Sequence, residues 1–252
     1  MDVGIVKKLN RLNREFYQTF SDSFSTSRYH TQPGVQRVLK MAPHTSAILD
    51  LGCGNGNILR DLVSINFKGC YHGLDFSEDL LQHARALYVD IPGAQAFQAR
   101  FSLMNLLSPD WNQFIEKKKW DVICSFAAFH HIPGSQHRLD LFRDICKLML
   151  PSTLFMFSVW QPQNSPRLRK RFLSWDVIGL SSSDIEDGDV LLDWKAEQSS
   201  AKKTGYRYVH IFQETELIEI ADEVGCEIVQ SFYSDGKEGN LGLYQIWKQT
   251  QH

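Results

Sequence analysis

The chain has 252 residues, 43% hydrophobic and 22% charged, with a formal net charge of −2 and a pI near 6.5. That length suits one large domain or a domain with an elaboration, and the composition is that of an ordinary globular protein. It excludes a strongly basic chain that holds nucleic acid by overall charge, although a local basic patch can sit on a near-neutral protein. Cys53, Cys70, Cys124, Cys146 and Cys226 are scattered, without a metal-ligand spacing. The expectation is no metal site and reduced thiols in a cytoplasmic protein. No signal-peptide core opens the chain, and its apolar runs are too short to span a bilayer, so no membrane partner is expected.

Residues 5–20 carry Leu9, Leu12, Phe16 and Phe20 at helical spacing and predict an amphipathic helix. Its apolar face either packs on the core or covers a cofactor. A serine-rich stretch leads to Arg28, Tyr29 and Pro33, and 34–42 predict a second helix, so 1–43 form a helical cap. Strands are expected at 46–51, 70–75, 95–99, 120–126 and 153–160, with helices at 57–65, 78–89, 109–116 and 136–149. The strands are short and apolar, as in a sheet covered on both faces. The segment 161–212 fits no βα unit. It holds Pro162, Pro166, the cluster Arg167, Arg169, Lys170 and Arg171, and a Ser/Asp/Glu-rich middle. Fifty residues is long for a connection, so a mobile lid over the strand ends is expected, ordering when ligand binds. A helix at 213–224 closes at Gly225, and strands at 226–233 and 241–248 flank a turn-rich 235–240 that invites an antiparallel hairpin. Period and spacing read as α/β, doubly wound.

Three motifs carry chemistry. In Ala47-Ile48-Leu49-Asp50-Leu51-Gly52-Cys53-Gly54-Asn55-Gly56, a strand ends beside an acid and a glycine turn follows. Glycines let backbone approach a ligand closely, and such a turn sits at the ligand-binding edge of an open α/β sheet. Alone, this turn fits a phosphate site of another α/β protein as well. The second motif, Gly73-Leu74-Asp75-Phe76-Ser77, ends a strand in a carboxylate able to accept from both hydroxyls of a ribose. In the third, the strand 120–126 runs into His130-His131-Ile132-Pro133. Adjacent residues on extended backbone point oppositely, so one of the two histidines is expected to face substrate.

Together these motifs resemble class I S-adenosylmethionine-dependent methyltransferases. Further segments are similar to the tRNA wobble-uridine carboxymethyl methyltransferases: Arg28-Tyr29 before Pro33, Ser158-Val159-Trp160, Gly188 through Lys195, and Tyr206-Arg207-Tyr208-Val209-His210-Ile211-Phe212. This resemblance runs from about residue 16 to 248. It implies a single domain over 1–252 with a Rossmann-like, mostly parallel seven-stranded sheet and an antiparallel C-terminal hairpin.

The implied cofactor is S-adenosylmethionine, held by Arg28, Asp50, Gly52, Cys53, Gly54, Asn55, Gly56, Asp75, Phe76, Ser102 and Phe126. The family also implies tRNA as partner and, in some members, a small zinc-ribbon activator pairing along a sheet edge. The third strand departs from the family pattern. An acid near position 101 would meet the adenine amine, and here Phe101 stands there, with Ser102 or a backbone carbonyl as the replacement. On the acceptor side Asp193-Trp194 and Gln32 also differ from the family.

The family's acceptor is a carboxymethyl group, whose carboxylate is already ionised at neutral pH and needs no base. Holding that anion calls for Arg or protonated His, so Arg28, His130, Arg207 and His210 are the expected catalytic residues. Tyr29, His131, Trp160, Arg169, Arg171 and Tyr208 are expected to contact substrate, the arginines through RNA phosphates. The alternative is a small-molecule O- or N-methyltransferase, in which His130 or His131 would act as base. The intact glycines and Asp75 argue against a non-catalytic cofactor-binding scaffold.

Overall fold

Apolar runs ending in turn residues alternate with amphipathic segments from residue 47 onward, and each run becomes a strand. In chain order the elements are α1 (Val3–Ser27), α2 (Pro33–Leu39), β1 (Ala47–Leu51), α3 (Ile58–Ser64), β2 (Cys70–Asp75), α4 (Glu78–Asp90) and β3 (Gln98–Leu103). There follow β4 (Val122–Phe126), α5 (Ser135–Leu148), β5 (Leu154–Trp160), α6 (Pro166–Arg169), β6 (Phe172–Leu173), β7 (Asp189–Lys195), β8 (Thr204–His210), α7 (Glu214–Glu223), β9 (Cys226–Ser234) and β10 (Gly242–Gln249). The computed structural model describes residues 1–27, 30–115, 120–195 and 204–250.

Seven strands form one sheet in the order β3-β2-β1-β4-β5-β10-β9. The first five are parallel, and β10 enters antiparallel between β5 and β9. Alternation along the strands sends Leu49, Leu51, Phe155 and Phe157 to one face, packed with Phe142 of α5 and Leu217 of α7. Ile48, Tyr71, Val122 and Met156 go to the other face, against Val38 of α2 and Leu59 of α3. The fold is therefore the expected one: an α/β sheet covered on both sides, mostly parallel, with a C-terminal hairpin.

Three local readings differ. The third strand runs to Leu103 rather than stopping at 99, because a 3₁₀ turn at Ala94–Ala96 delays its start. β3 lies at the sheet edge and buries only part of its surface, so no apolar run marks it. The helix expected at 109–116 is a single 3₁₀ turn, Trp111–Phe114, whose Trp111 is buried against the core. In α1, Leu12 is half-buried, and the buried face is Val6, Leu9, Asn13, Phe16, Tyr17 and Phe20.

The segment 161–212 is more than a bare connection. Its described residues build a second, three-stranded antiparallel sheet in the order β6-β7-β8. Leu191, Leu192, Tyr208 and Val209 are fully buried in it, so this part of the expected lid is a folded unit with its own apolar face.

Candidate active site

The ends of β1, β2, β4 and β5 open onto one cleft of about 690 Å³, roofed by α1 and flanked by the insert. This is where an open parallel sheet receives ligands, beyond the carboxyl ends of its strands.

The first wall is the turn after β1. Its Gly52 and Cys53 amides both donate to the Leu74 carbonyl, at 2.8 and 2.9 Å, which ties the turn to β2. Gly54 has φ +55, and a Cβ added there would meet nothing within 4 Å, so it presents bare backbone to open space. Gly56, by contrast, does not line the cleft. With φ +74, it lets the turn approach Ala84 of α4, whose Cβ would lie 2.9 Å from an added Cβ. Asp75 Oδ2 accepts from Gly54 N and Oδ1 from Ser77 N, each at 2.9 Å. A carboxylate has about four acceptor sites, so this one has room for a ligand hydroxyl beside its backbone donors. Cys53, Asn55, Phe76 and Phe126 line the same arm.

Asp50 is buried and accepts from Tyr71 Oη at 2.6 Å. Burial pushes its carboxyl up to about 6; hydrogen bonds from Tyr71 and Cys124 oppose the shift and the Asp75 charge adds to it. Burial also raises Asp75, against the backbone donors of Ser77, Gly54 and Phe76. Two acids held in this way favour a positively charged ligand.

Ser102 faces the opposite side of the sheet. Its Oγ lies 2.9 Å from His72 Nε2, because alternation in β3 turns it away from Phe101 and the cleft. Beyond β3 the cleft is lined by Met104, Asn105, Leu106 and Leu107.

The second arm is aromatic and basic. Arg207 is only 4% exposed, and its guanidinium lies over the rings of Phe16, Trp160 and Trp194 at 4.8, 5.2 and 5.3 Å. Such faces hold a guanidinium by cation–π attraction. Arg171 lines the arm too, paired with Asp193 at 2.8 Å. Arg167 reaches the rim, while Arg169 is exposed and lies off it. Arg28 and Tyr29 lie outside the described residues.

Fixed backbone groups assign the histidine tautomers. His130 Nδ1 lies 3.2 Å from Trp160 N, an obligate donor, so the neutral ring carries its proton on Nε2. His131 Nδ1 lies 3.0 Å from the Tyr208 carbonyl, an obligate acceptor, so Nδ1 donates and Nε2 accepts from Tyr17 Oη at 2.6 Å. Both rings line the cleft.

His210 and Tyr208, expected near substrate, sit away from the cleft. Tyr208 Oη donates to Asp189 Oδ1 at 2.7 Å. His210 bridges Asp189 at 2.7 Å and Glu216 at 2.9 Å, and Arg138 pairs with Glu186 and Glu216 beside it. Carboxylates at both ring nitrogens require an imidazolium. Burial would depress this pKa, and so does the nearby Arg138, but the hydrogen bonds to Asp189 and Glu216 raise it overall. The group therefore stabilises the fold fully below about 6.5, the unfolded value, and the contribution is lost as pH rises through the raised native value. His210→Asn should lower the melting temperature more at pH 6 than at alkaline pH. An equal loss at every pH would rule out the charged clamp.

The residues missed in the sequence are Asn13, Tyr17, Asn105 and Trp194, all lining the cleft. Asn13 carried a readable signal, as a polar residue in step with the apolar face of α1. For Asn105 the misplaced end of β3 hid the position.

A methyltransferase domain profile matches residues 24–231. The chain belongs to this methyltransferase family, and its fold and cleft are those of a class I S-adenosylmethionine-dependent enzyme. Among curated relatives, it is 24% identical over 249 residues to the tRNA (carboxymethyluridine(34)-5-O)-methyltransferase of Schizosaccharomyces pombe, covering 89% of this chain and 92% of that one. It is 28% identical over 158 residues to the protein of that activity, ALKBH8, from Macaca fascicularis, covering 61% of this chain. Against the macaque and mouse relatives it matches only 21% and 24% of their length. Among solved structures, a methyltransferase from Methanosarcina mazei superposes with TM-score 0.64 at 18% identity, covering 88% of this chain and all of that one. Another from Clostridium acetobutylicum gives 0.65 at 13%, covering 94% and 99%. No helix among the described residues is long and apolar enough to cross a membrane.

Proposed function

We propose that this domain methylates the carboxylate of a carboxymethyl group on a tRNA wobble uridine. The observation that carries the reading is the commitment of the histidine lone pairs. A general base must offer a lone pair to the nucleophile's proton. His130 Nδ1 is taken by the Trp160 amide and His131 Nε2 by the Tyr17 hydroxyl, so neither neutral ring has one to offer. An acceptor that is already an anion fits such a site, whereas an alcohol or protonated amine does not. The fission-yeast relative, matched over nearly its whole length, is named for such an acceptor.

The cleft fits the cofactor on its own terms: open backbone at Gly54, two buried acids for a cationic group, and room on Asp75 for a ligand hydroxyl. When bound, S-adenosylmethionine supplies an electrophilic sulfonium methyl. Asp75 would hold the ribose hydroxyls, Gly52, Cys53, Gly54 and Asn55 the methionyl part, and Phe76 with residues 104–107 the adenine side. Asp50 balances the positive charge. Arg207, with Arg28, holds both carboxylate oxygens and aims one, and the His130 Nε2 proton donates to the same anion. Orientation of this kind can contribute several kcal/mol to the barrier. Arg167 and Arg171 at the rim suit an RNA phosphate, and Trp160 a base. A zinc-ribbon partner, which the resemblance implies, would have to use β3 or β9, the two edges of the sheet.

Two pH experiments separate the cofactor from the acceptor. Affinity for S-adenosylmethionine should be level above pH 7 and fall as pH drops through about 6, because Asp50 then takes a proton that binding must release. Calorimetry in buffers of different ionisation enthalpy reads this proton. Its absence at pH 5.5 would show that Asp50 does not face the cation. At saturating cofactor, the rate of methyl transfer should be flat from pH 6.5 to 8. A rate climbing through this range would mean a histidine base and a neutral small-molecule acceptor.

A further inference from the structure

β8 is an outer strand of the three-stranded sheet, paired among the described residues only with β7. At Tyr208 its outward backbone groups meet a side chain instead of a strand. Tyr208 N donates to Asn13 Oδ1 at 2.9 Å, and Asn13 Nδ2 donates to the Tyr208 carbonyl at 3.1 Å. The same Nδ2 donates to the His131 carbonyl at 3.2 Å. A carboxamide with one acceptor and two donors thus copies a strand on β8 and joins it to the turn after β4. Asn13 is 3% exposed and lies one helical turn before Tyr17, which holds the His131 ring from the same face of α1.

Its position gives this clamp a consequence for the acceptor arm. Strand alternation turns Tyr208 toward Asp189 and Arg207 toward the cleft. Fixing the Tyr208 peptide therefore fixes the backbone from which Arg207 departs. The Phe16 ring under that guanidinium comes from the same helix. The His131 carbonyl follows His130, so the second donor is set by the same amide.

We propose that Asn13 is a positioning residue for the acceptor, acting through Arg207 and His130 and leaving the cofactor arm untouched. This rests on reading Arg207 as the acceptor's anchor. Three variants separate positioning from mere support. Asn13→Ala removes all three hydrogen bonds. Asn13→Asp keeps the acceptor for Tyr208 N but turns an oxygen on two carbonyls. Asn13→Ser, the mildest, retains one acceptor and one donor and serves if the others fold poorly.

Each variant should bind S-adenosylmethionine within about threefold of the parent. Transfer to carboxymethyl-bearing RNA should slow by about 30- to 100-fold for Ala and Asp, since misplacing a group by an ångström can lose two orders of magnitude. Serine should restore part of the rate. In an Arg207→Lys background, Asn13→Ala should slow transfer clearly less than it does in the parent, because the Arg207 route is already impaired and only the His130 route remains.

A second readout needs no acceptor. The Arg207 Nε–H resonance, displaced by the rings of Trp160 and Trp194, should move toward that of an exposed arginine in Asn13→Ala and Asn13→Asp. Losses that multiply in the double variant, cofactor affinity falling in step with rate, or an unmoved Arg207 resonance would each overturn the proposal. If the parent chain leaves carboxymethyl RNA unmodified, it is the acceptor reading that fails, and the Arg207 resonance still decides the role of Asn13.

Discussion

Asp75→Ala is expected to weaken S-adenosylmethionine binding by roughly 2–4 kcal/mol, about 30- to several-hundred-fold. Two effects add. The charge-assisted bonds to the ribose hydroxyls go, and the Gly54 and Ser77 amides lose the acceptor that shapes the glycine turn. Asp75→Asn separates them, since a carbonyl oxygen still serves one amide while the charge is gone. It should fall between alanine and the parent. Calorimetry gives both affinities directly, and an unchanged value for alanine would remove Asp75 from the cofactor site.

Arg207→Ala is expected to slow methyl transfer by roughly a hundredfold or more while cofactor affinity stays put. The guanidinium lies over the rings of Trp160, Trp194 and Phe16 and lines the cleft. Arg207→Lys keeps the charge but not the planar fork that can hold two carboxylate oxygens. Lysine should therefore retain much of the acceptor affinity and lose most of the turnover. Melting temperatures must accompany both variants, because removing a side chain packed on three rings also costs stability. Arg207→Ala turning over at the parental rate would end the model of the acceptor arm.

The parallel sheet and the cofactor arm were legible in the sequence for a simple reason. Buried parallel strands must be apolar on both faces, and a turn that needs positive φ selects glycine, so both leave strong local marks. Asp50, Gly54 and Asp75 line the cleft beyond the ends of β1 and β2. β3 was read short because an edge strand buries too little to show a continuous run, and that error carried Ser102 to the wrong side of the sheet. The acceptor arm was harder, since it is assembled from α1, the β4 turn, β5 and an insert whose described strands pair with one another. Arg207 was found by motif, yet His210 and Tyr208 from the same motif face away. Choosing between neighbours on a strand requires knowing which face is buried, and here Asp189, on the neighbouring strand β7, and Glu216, on the following helix α7, decide it. Asn13 shows a further limit. A polar residue in step with an apolar face says that something polar is buried beneath it, and only the fold shows that it is the Tyr208 peptide.

The central claim is that the acceptor is an already ionised carboxylate on RNA. It is tested most directly by incubating the chain and tritiated S-adenosylmethionine with anticodon-stem RNAs that carry either carboxymethyluridine or plain uridine at the wobble position. The account predicts label only in the carboxymethyl RNA, recovered as a methyl ester that mild alkali releases as methanol, with incorporation falling as salt rises. Alkali-stable label, label in the plain uridine RNA, or label found only on small molecules would contradict it.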